Sequence, residues 1–110
     1  MIEDTIAKIE ARLQSTEALK EDKRAELQHL LATLKSEVAE LSKTNAEEAE
    51  SIAGFTELST REATRENQNP QLLKLSLTGL TSSVEQFERS HPKLVQIVNT
   101  ISKTLSDLGI

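Results

Sequence analysis

Two Glu-x-x-His pairs are the residues of this 110-residue chain best suited by type to do chemistry: Glu26 with His29 in "ELQH", and Glu88 with His91 in "ERSH". A Glu-x-x-His motif on each of two helices, completed by one Glu from each of two others, is the ligand set of di-iron and di-manganese bundles. The pairs therefore raise a metal-binding helical bundle as the alternative to a protein with no cofactor. The helical step argues against it. With Leu27 taken as pointing into a core, a rotation of about 100° per residue carries His29 to about 200°, on the outer face. The other apolar segments offer no Glu at an inward position to complete the set.

Other catalytic constellations are thinner still. The chain has no cysteine, so it has no thiolate nucleophile, no disulfide framework and no Cys-ligated metal. It has no Gly-rich phosphate loop, and a Ser/His/Asp set can be assembled on paper from any sequence this rich in serine. The expectation is a protein that is not an enzyme, with no catalytic residues, no cofactor and no metal. "REATRE", with Arg61, Glu62, Arg65 and Glu66, offers a charged patch that could bind a partner. Its i,i+3 pair Glu62 and Arg65, and Glu57 one turn before Arg61, also suit an ordinary solvated helix face.

The elements that would carry these residues follow from apolar spacing. Ile2, Ile6, Ile9 and Leu13 recur at helical intervals, and after a polar break Leu27, Leu31, Leu34, Val38 and Leu41 do so again. This predicts helices over about residues 3–14 and 20–43, an N-terminal hairpin within 1–43. The joint "QSTEALKED" has neither Gly nor Pro, so one unbroken helix fits the pattern as well. "TNAE" at 44–47 has the form of a capping box, with the Thr44 hydroxyl accepting from the Glu47 N–H, and predicts the start of a third helix. Its apolar face (Ala49, Ile52, Ala53, Phe55, Leu58) is narrow. The stretch after it, from Ser59 to Gln71, is polar enough to read as solvated or paired with something else. Asn69 before Pro70 is a strong helix start, since Pro at the first helical position gives up only an N–H that would have had no partner.

The C-terminal third carries the most regular pattern. Leu73, Leu77, Leu80, Val84, Phe87, His91, Leu94, Val98, Ile101, Leu105 and Leu108 step by four and three in turn, a heptad-like seam widened by Leu72, Leu75, Val95 and Ile97. Pro92 interrupts it. Proline cannot donate to the carbonyl of Glu88 and disfavours helical geometry at His91, a penalty of about 3 kcal/mol in a continuous helix. Two outcomes fit, a break at Ser90, His91 and Pro92 or a kinked helix that keeps the heptad phase. In either, Ser90 is placed to cap, and His91 packs its ring on the seam with one nitrogen bonded to the backbone or to Glu88, a structural role. Gly109 reads as a C-cap before Ile110.

At these residues the chain resembles a known family. Phe87, Glu88, Ser90, His91, Pro92 and Leu94 spell F-E-x-S-H-P-x-L, and Leu105, Leu108, Gly109 and Ile110 spell L-x-x-L-G-I. The pattern is similar to that of short bacterial proteins known only as a domain of unknown function. The resemblance is densest in the last quarter, continues through 51–86 and thins to a general leucine pattern before that. Near 44–68 this chain departs from the shorter members. The resemblance implies a small helical protein and carries no catalytic residues across.

Composition sets the outer bounds. Net charge is −5, distributed as −2 over 1–43, −4 over the acidic, polar middle 44–69 and +1 over the apolar 70–110. With no basic cluster and only Phe55 and Phe87 to stack on bases, nucleic acid and anionic membranes are poor partners. The longest uncharged stretch, "LSLTGLTSSV", is about half the roughly 20 apolar residues that a membrane span needs. The acidic, periodic start has no basic-then-apolar leader pattern, so the expected location is the cytoplasm. The sequence thus predicts a single all-α domain over 1–110, a small bundle of four to five helices. Its seam (Leu73, Leu77, Leu80, Val84, Phe87, Leu94, Val98, Ile101, Leu105 and Leu108) exceeds what an N-terminal hairpin obviously covers, so it is expected to bind a second copy, as a homodimer or higher oligomer, or another helical protein.

Overall fold

A computed structural model describes residues 2–109. Its elements are α1 (Ile2–Ser15), α2 (Glu21–Ser42), α3 (Ala46–Ala63), α4 (Pro70–Ser82), a 3₁₀ turn (Glu85–Phe87) and α5 (Pro92–Gly109). Five α-helices and no strand are found among the described residues, an all-α bundle of about 37 × 24 × 22 Å. Successive helices run up and down. Consequently the C-termini of α1, α3 and α5 gather at one end, beside the starts of α2 and α4. There Arg12 of α1 reaches Thr64 just past α3, and Gln68 Nε2 donates to both Ala63 O (2.6 Å) and Leu108 O (3.4 Å).

The joint between α1 and α2 is a true break, made without Gly, Pro or any left-handed residue. The side chain of Arg24 closes it. Its guanidinium donates to the carbonyls of Leu13 and Gln14, which the last turn of α1 leaves without N–H partners, and to those of Thr16 (2.8 Å) and Leu19 in the joint itself. Leu19 turns inward beneath it, 6% exposed.

The third helix begins where the sequence places it, but not by a capping box. Lys43, Thr44 and Asn45 still donate their N–H groups back to Glu40 and Leu41, so these residues finish α2. The Thr44 hydroxyl accordingly turns to Asn45 Oδ1 (2.8 Å) and Leu41 O, and Asn45 flanks α3 without a side-chain cap bond. At α4 the expected cap is present, with Asn69 Oδ1 accepting from the N–H groups of Gln71 (3.1 Å) and Leu72 (3.2 Å) ahead of Pro70.

The polar middle of the chain is the largest departure from the sequence reading. Helix α3 packs against all four other helices, and Thr56, Ser59, Thr60, Glu62, Ala63 and Thr64 are buried rather than solvated. Small residues make this possible, because Ala49, Ala53, Ser59 and Ala63 let neighbouring helices approach closely. The threonines become compatible with a core by internal bonding: Thr56 donates to Ile52 O (2.8 Å), Thr60 to Thr56 O (2.8 Å) and Thr64 to Thr60 O (2.7 Å). Each hydroxyl donor is thereby satisfied within the helix, leaving methyl groups to pack.

Helices α3 and α2 cover the C-terminal seam between them, α3 chiefly over α4 and α2 chiefly over α5. Leu73, Leu77, Leu80, Val84, Phe87, Leu94, Val98, Ile101 and Leu105 all lie in the chain's own core, and Leu108 is partly buried against it. The heptad run is not one helix: α4 ends at Ser82, Val84 and Phe87 turn inward from the connection, and α5 returns antiparallel from Pro92. Leu73 at the start of α4 thus meets Gly109 at the end of α5. The seam is filled from within, so the expected face for a partner is corrected: these residues are core.

Gly109 departs from expectation as well. It lies inside α5 with no positive φ, so it is not a left-handed cap, and a Cβ there would stand 2.6 Å from Leu73 Cδ2 and 2.8 Å from Gln68 Oε1. Its small size lets the end of α5 close on α4. Ile110 lies outside the described residues.

Candidate functional site

The structure separates the two Glu-x-x-His pairs from any common centre. Glu26 is on the surface, paired with Lys23 at 3.3 Å, and His29 is exposed on the outer face of α2, as its helical phase requires. Glu88 is exposed in the turn before α5. Among the described residues no group of three or more His, Asp and Glu side chains gathers to hold a metal.

His91 occupies the break at Pro92. Its ring stands edge-on to Phe87, with centroids 5.8 Å apart at 89°, and Nδ1 lies 3.0 Å from Ser90 Oγ. Edge-to-face pairs of this kind favour a fixed ring orientation. The nitrogen's partner is therefore Ser90, not the backbone or Glu88. Ser90 does not cap α5 either. Pro92 is the first helical residue, which makes His91 the flanking one, and its carbonyl accepts the first bond, from Val95 N–H at 3.3 Å.

The charged patch of α3 lies at the bundle end where three helices finish. Arg12, Arg61, Glu62, Arg65, Glu66 and Asn67 line an open concavity of about 560 Å³. Two of its arginines already have structural partners. Arg12 donates from Nε to Thr64 Oγ1 (2.9 Å) and from Nη2 to Thr64 O (3.2 Å), while Arg65 pairs with Glu62 at 3.2 Å. Cations are stabilising at helix C-termini, where carbonyl oxygens carry the negative end of the dipole. The patch thus completes the end of α3, and Glu62, only 6% exposed, is no part of a solvated face.

The surface that sequence reasoning missed is on α4. Leu72 and Leu75, read above as widening the seam, are 44% and 68% exposed, the exposed large hydrophobics among the described residues. Val95 and Ile97 are partly buried against the core. Helical phase explains the difference: with Leu73 pointing inward, about 100° per residue puts Leu75 at about 200° and Leu72 about 100° to the other side. The same wheel that turns His29 outward turns Leu75 outward. Within α4 the one charged residue is Lys74.

No helix of the described residues is long and apolar enough to cross a membrane. No curated protein and no solved structure matches the chain. A family model described as "Domain of unknown function (DUF4404)" matches residues 27–110, from the second turn of α2 to the end of the chain, and the protein belongs to that family.

Proposed function

We propose that this family member is a non-enzymatic interaction protein that pairs with a second copy of itself through the outer face of α4. The observation that supports the reading is the exposure of Leu72 and Leu75, a turn apart, where the other large apolar side chains of the described residues are at least partly buried. Charge favours a second copy as the occupant. The chain carries −5, so two copies repel in most orientations, whereas residues 71–82 hold a single charge, Lys74, and can face their own image across a two-fold axis without bringing acids together.

Size sets the strength of the contact. Thirteen residues of helix present a strip about 20 Å long and about 10 Å wide, on the order of 200 Å² per copy. That is roughly a quarter of the ~800 Å² per partner of a standard stable interface. The pairing is accordingly weak and reversible, with dissociation in the micromolar range or above.

Sedimentation velocity over a range from low to high micromolar tests this on the unmodified protein and on Leu72→Glu and Leu75→Glu. Both positions are solvent-facing, so the variants keep the fold. Concentration-dependent growth in the unmodified protein, lost in Leu75→Glu at an unchanged melting temperature, is the expected outcome. A unmodified protein that stays monomeric at high micromolar concentration would refute the reading.

A further inference from the structure

The joint between α1 and α2 is a turn made of helix-forming sequence. Glu17, Ala18, Leu19 and Lys20 are good helix formers, with no Gly, no Pro and no positive-φ residue to require a reversal there. Lys20 flanks α2 in extended geometry (φ −71°, ψ 154°) and makes no side-chain cap bond. What holds the reversal is Arg24, on the carbonyls of Leu13, Gln14, Thr16 and Leu19, together with the Thr16 hydroxyl, which accepts from Ala18 N–H at 3.2 Å, and the buried Leu19.

In a straight helix the same four carbonyls would accept from the N–H groups four residues on, those of Glu17, Ala18, Lys20 and Lys23. The guanidinium thus substitutes for backbone bonds that the chain could make for itself. Contacts that fix α1 outside the joint are Ile6, Ile9 and Leu13, buried in the groove alongside α3 and α2, and Arg12, bonded to Thr64.

We propose that the joint is a hinge through which two copies exchange α1. The hinge straightens, α1 and α2 become one helix, and each α1 seats in the other copy's groove with the same contacts it makes at home. Only the hinge differs between the closed monomer and the exchanged dimer, so a small change there shifts the balance. Arg24 is the positioning residue that keeps the hairpin closed. This dimer is distinct from pairing through α4, which leaves α1 where it is.

The two are separated by working in the Leu75→Glu background. Cysteines at Ala7→Cys and Ala32→Cys, both exposed positions in a chain with no cysteine of its own, carry spin labels, diluted with unlabelled protein so that each measured pair lies within one chain. In the hairpin these positions lie on neighbouring helices whose axes are about 8–10 Å apart, whereas 25 residues of straight helix separate them by about 38 Å. Arg24→Met is expected to increase the dimer fraction at least tenfold at equal concentration and to bring in the long distance. Thr16→Ala, which leaves Arg24 in place and improves helix propensity at the hinge, is expected to shift the same way and serves if Arg24→Met does not fold. Adding Glu17→Pro, tolerated just past a helix end but not within a helix, is expected to restore the monomer and the short distance. The proposal is overturned if Thr16→Ala stays monomeric, if any dimer keeps the short distance alone, or if the dimer persists with Glu17→Pro.

Discussion

The same substitution at two helical glycines is expected to move stability in opposite directions. Gly54 lies on the exposed face of α3, and a Cβ built there meets nothing within 4 Å. Gly54→Ala therefore yields the helix-propensity gain alone, about 0.5–1 kcal/mol. Gly79 lies on α4 where that helix crosses α3, and a Cβ there would stand 2.4 Å from Cε1, 2.7 Å from Cδ1 and 3.0 Å from Cζ of Phe55. Those atoms belong to a rigid ring partly buried against the core, so relief requires the ring to leave its rotamer or the two helices to separate. Overpacking of this kind costs about 1–3 kcal/mol, which offsets or exceeds the same propensity gain. Because the propensity gain is common to both, the two variants should differ by the overpacking cost, about 1–3 kcal/mol, with Gly54→Ala above the unmodified protein and Gly79→Ala at or below it. Urea denaturation followed by circular dichroism measures both. Phe55→Leu supplies the control, because removing the ring should make Gly79→Ala favourable and give a coupling of at least about 1 kcal/mol in a double-mutant cycle. If Gly79→Ala stabilises as much as Gly54→Ala, or if Phe55→Leu leaves its effect unchanged, the close α3–α4 crossing is wrong.

Three further outcomes follow from burial and bonding. Ser59 and Ser102 each bury a hydroxyl with no hydrogen-bond partner among the described residues, so Ser59→Ala and Ser102→Ala should each raise stability, by about 1 kcal/mol in thermal or chemical melts. Asn69→Ala removes an acceptor for two N–H groups at the start of α4 and should cost about 1 kcal/mol, a fall of about 4–8 °C in melting temperature. Leu80 is fully buried in the chain's own core, so Leu80→Asp should unfold the monomer at a cost of several kcal/mol, and a folded variant by circular dichroism would contradict that placement.

Helices whose burial depends on large apolar side chains were legible in the sequence. The spacing of Leu27, Leu31, Leu34, Val38 and Leu41 marks α2, and Asn69–Pro70 marks the start of α4 down to the residue, because capping chemistry is local. Helix α3 was not legible as the centre of the bundle. Its threonines look polar one at a time and become core-compatible only once each hydroxyl bonds to the carbonyl four residues back, which presupposes the helix. With α3 read as peripheral, the seam of α4 and α5 lacked a cover inside the chain and looked like a surface for a partner. The break after α1 was legible from the lapse in apolar spacing between Leu13 and Leu27, but what holds it was not, since Arg24 acts on carbonyls up to 11 positions away and leaves no turn residue in the joint. Leu75, by contrast, could have been placed outward by the angular argument that placed His29.

The central claim, that two copies meet weakly through the outer face of α4, is tested most directly by amide chemical shifts across a dilution series. If the reading holds, lowering the protein from high to low micromolar moves the resonances of residues 71–79 together, with one dissociation constant, and leaves those of α1 and α2 in place. Shifts that do not change on dilution, or changes that map to another surface, would contradict it.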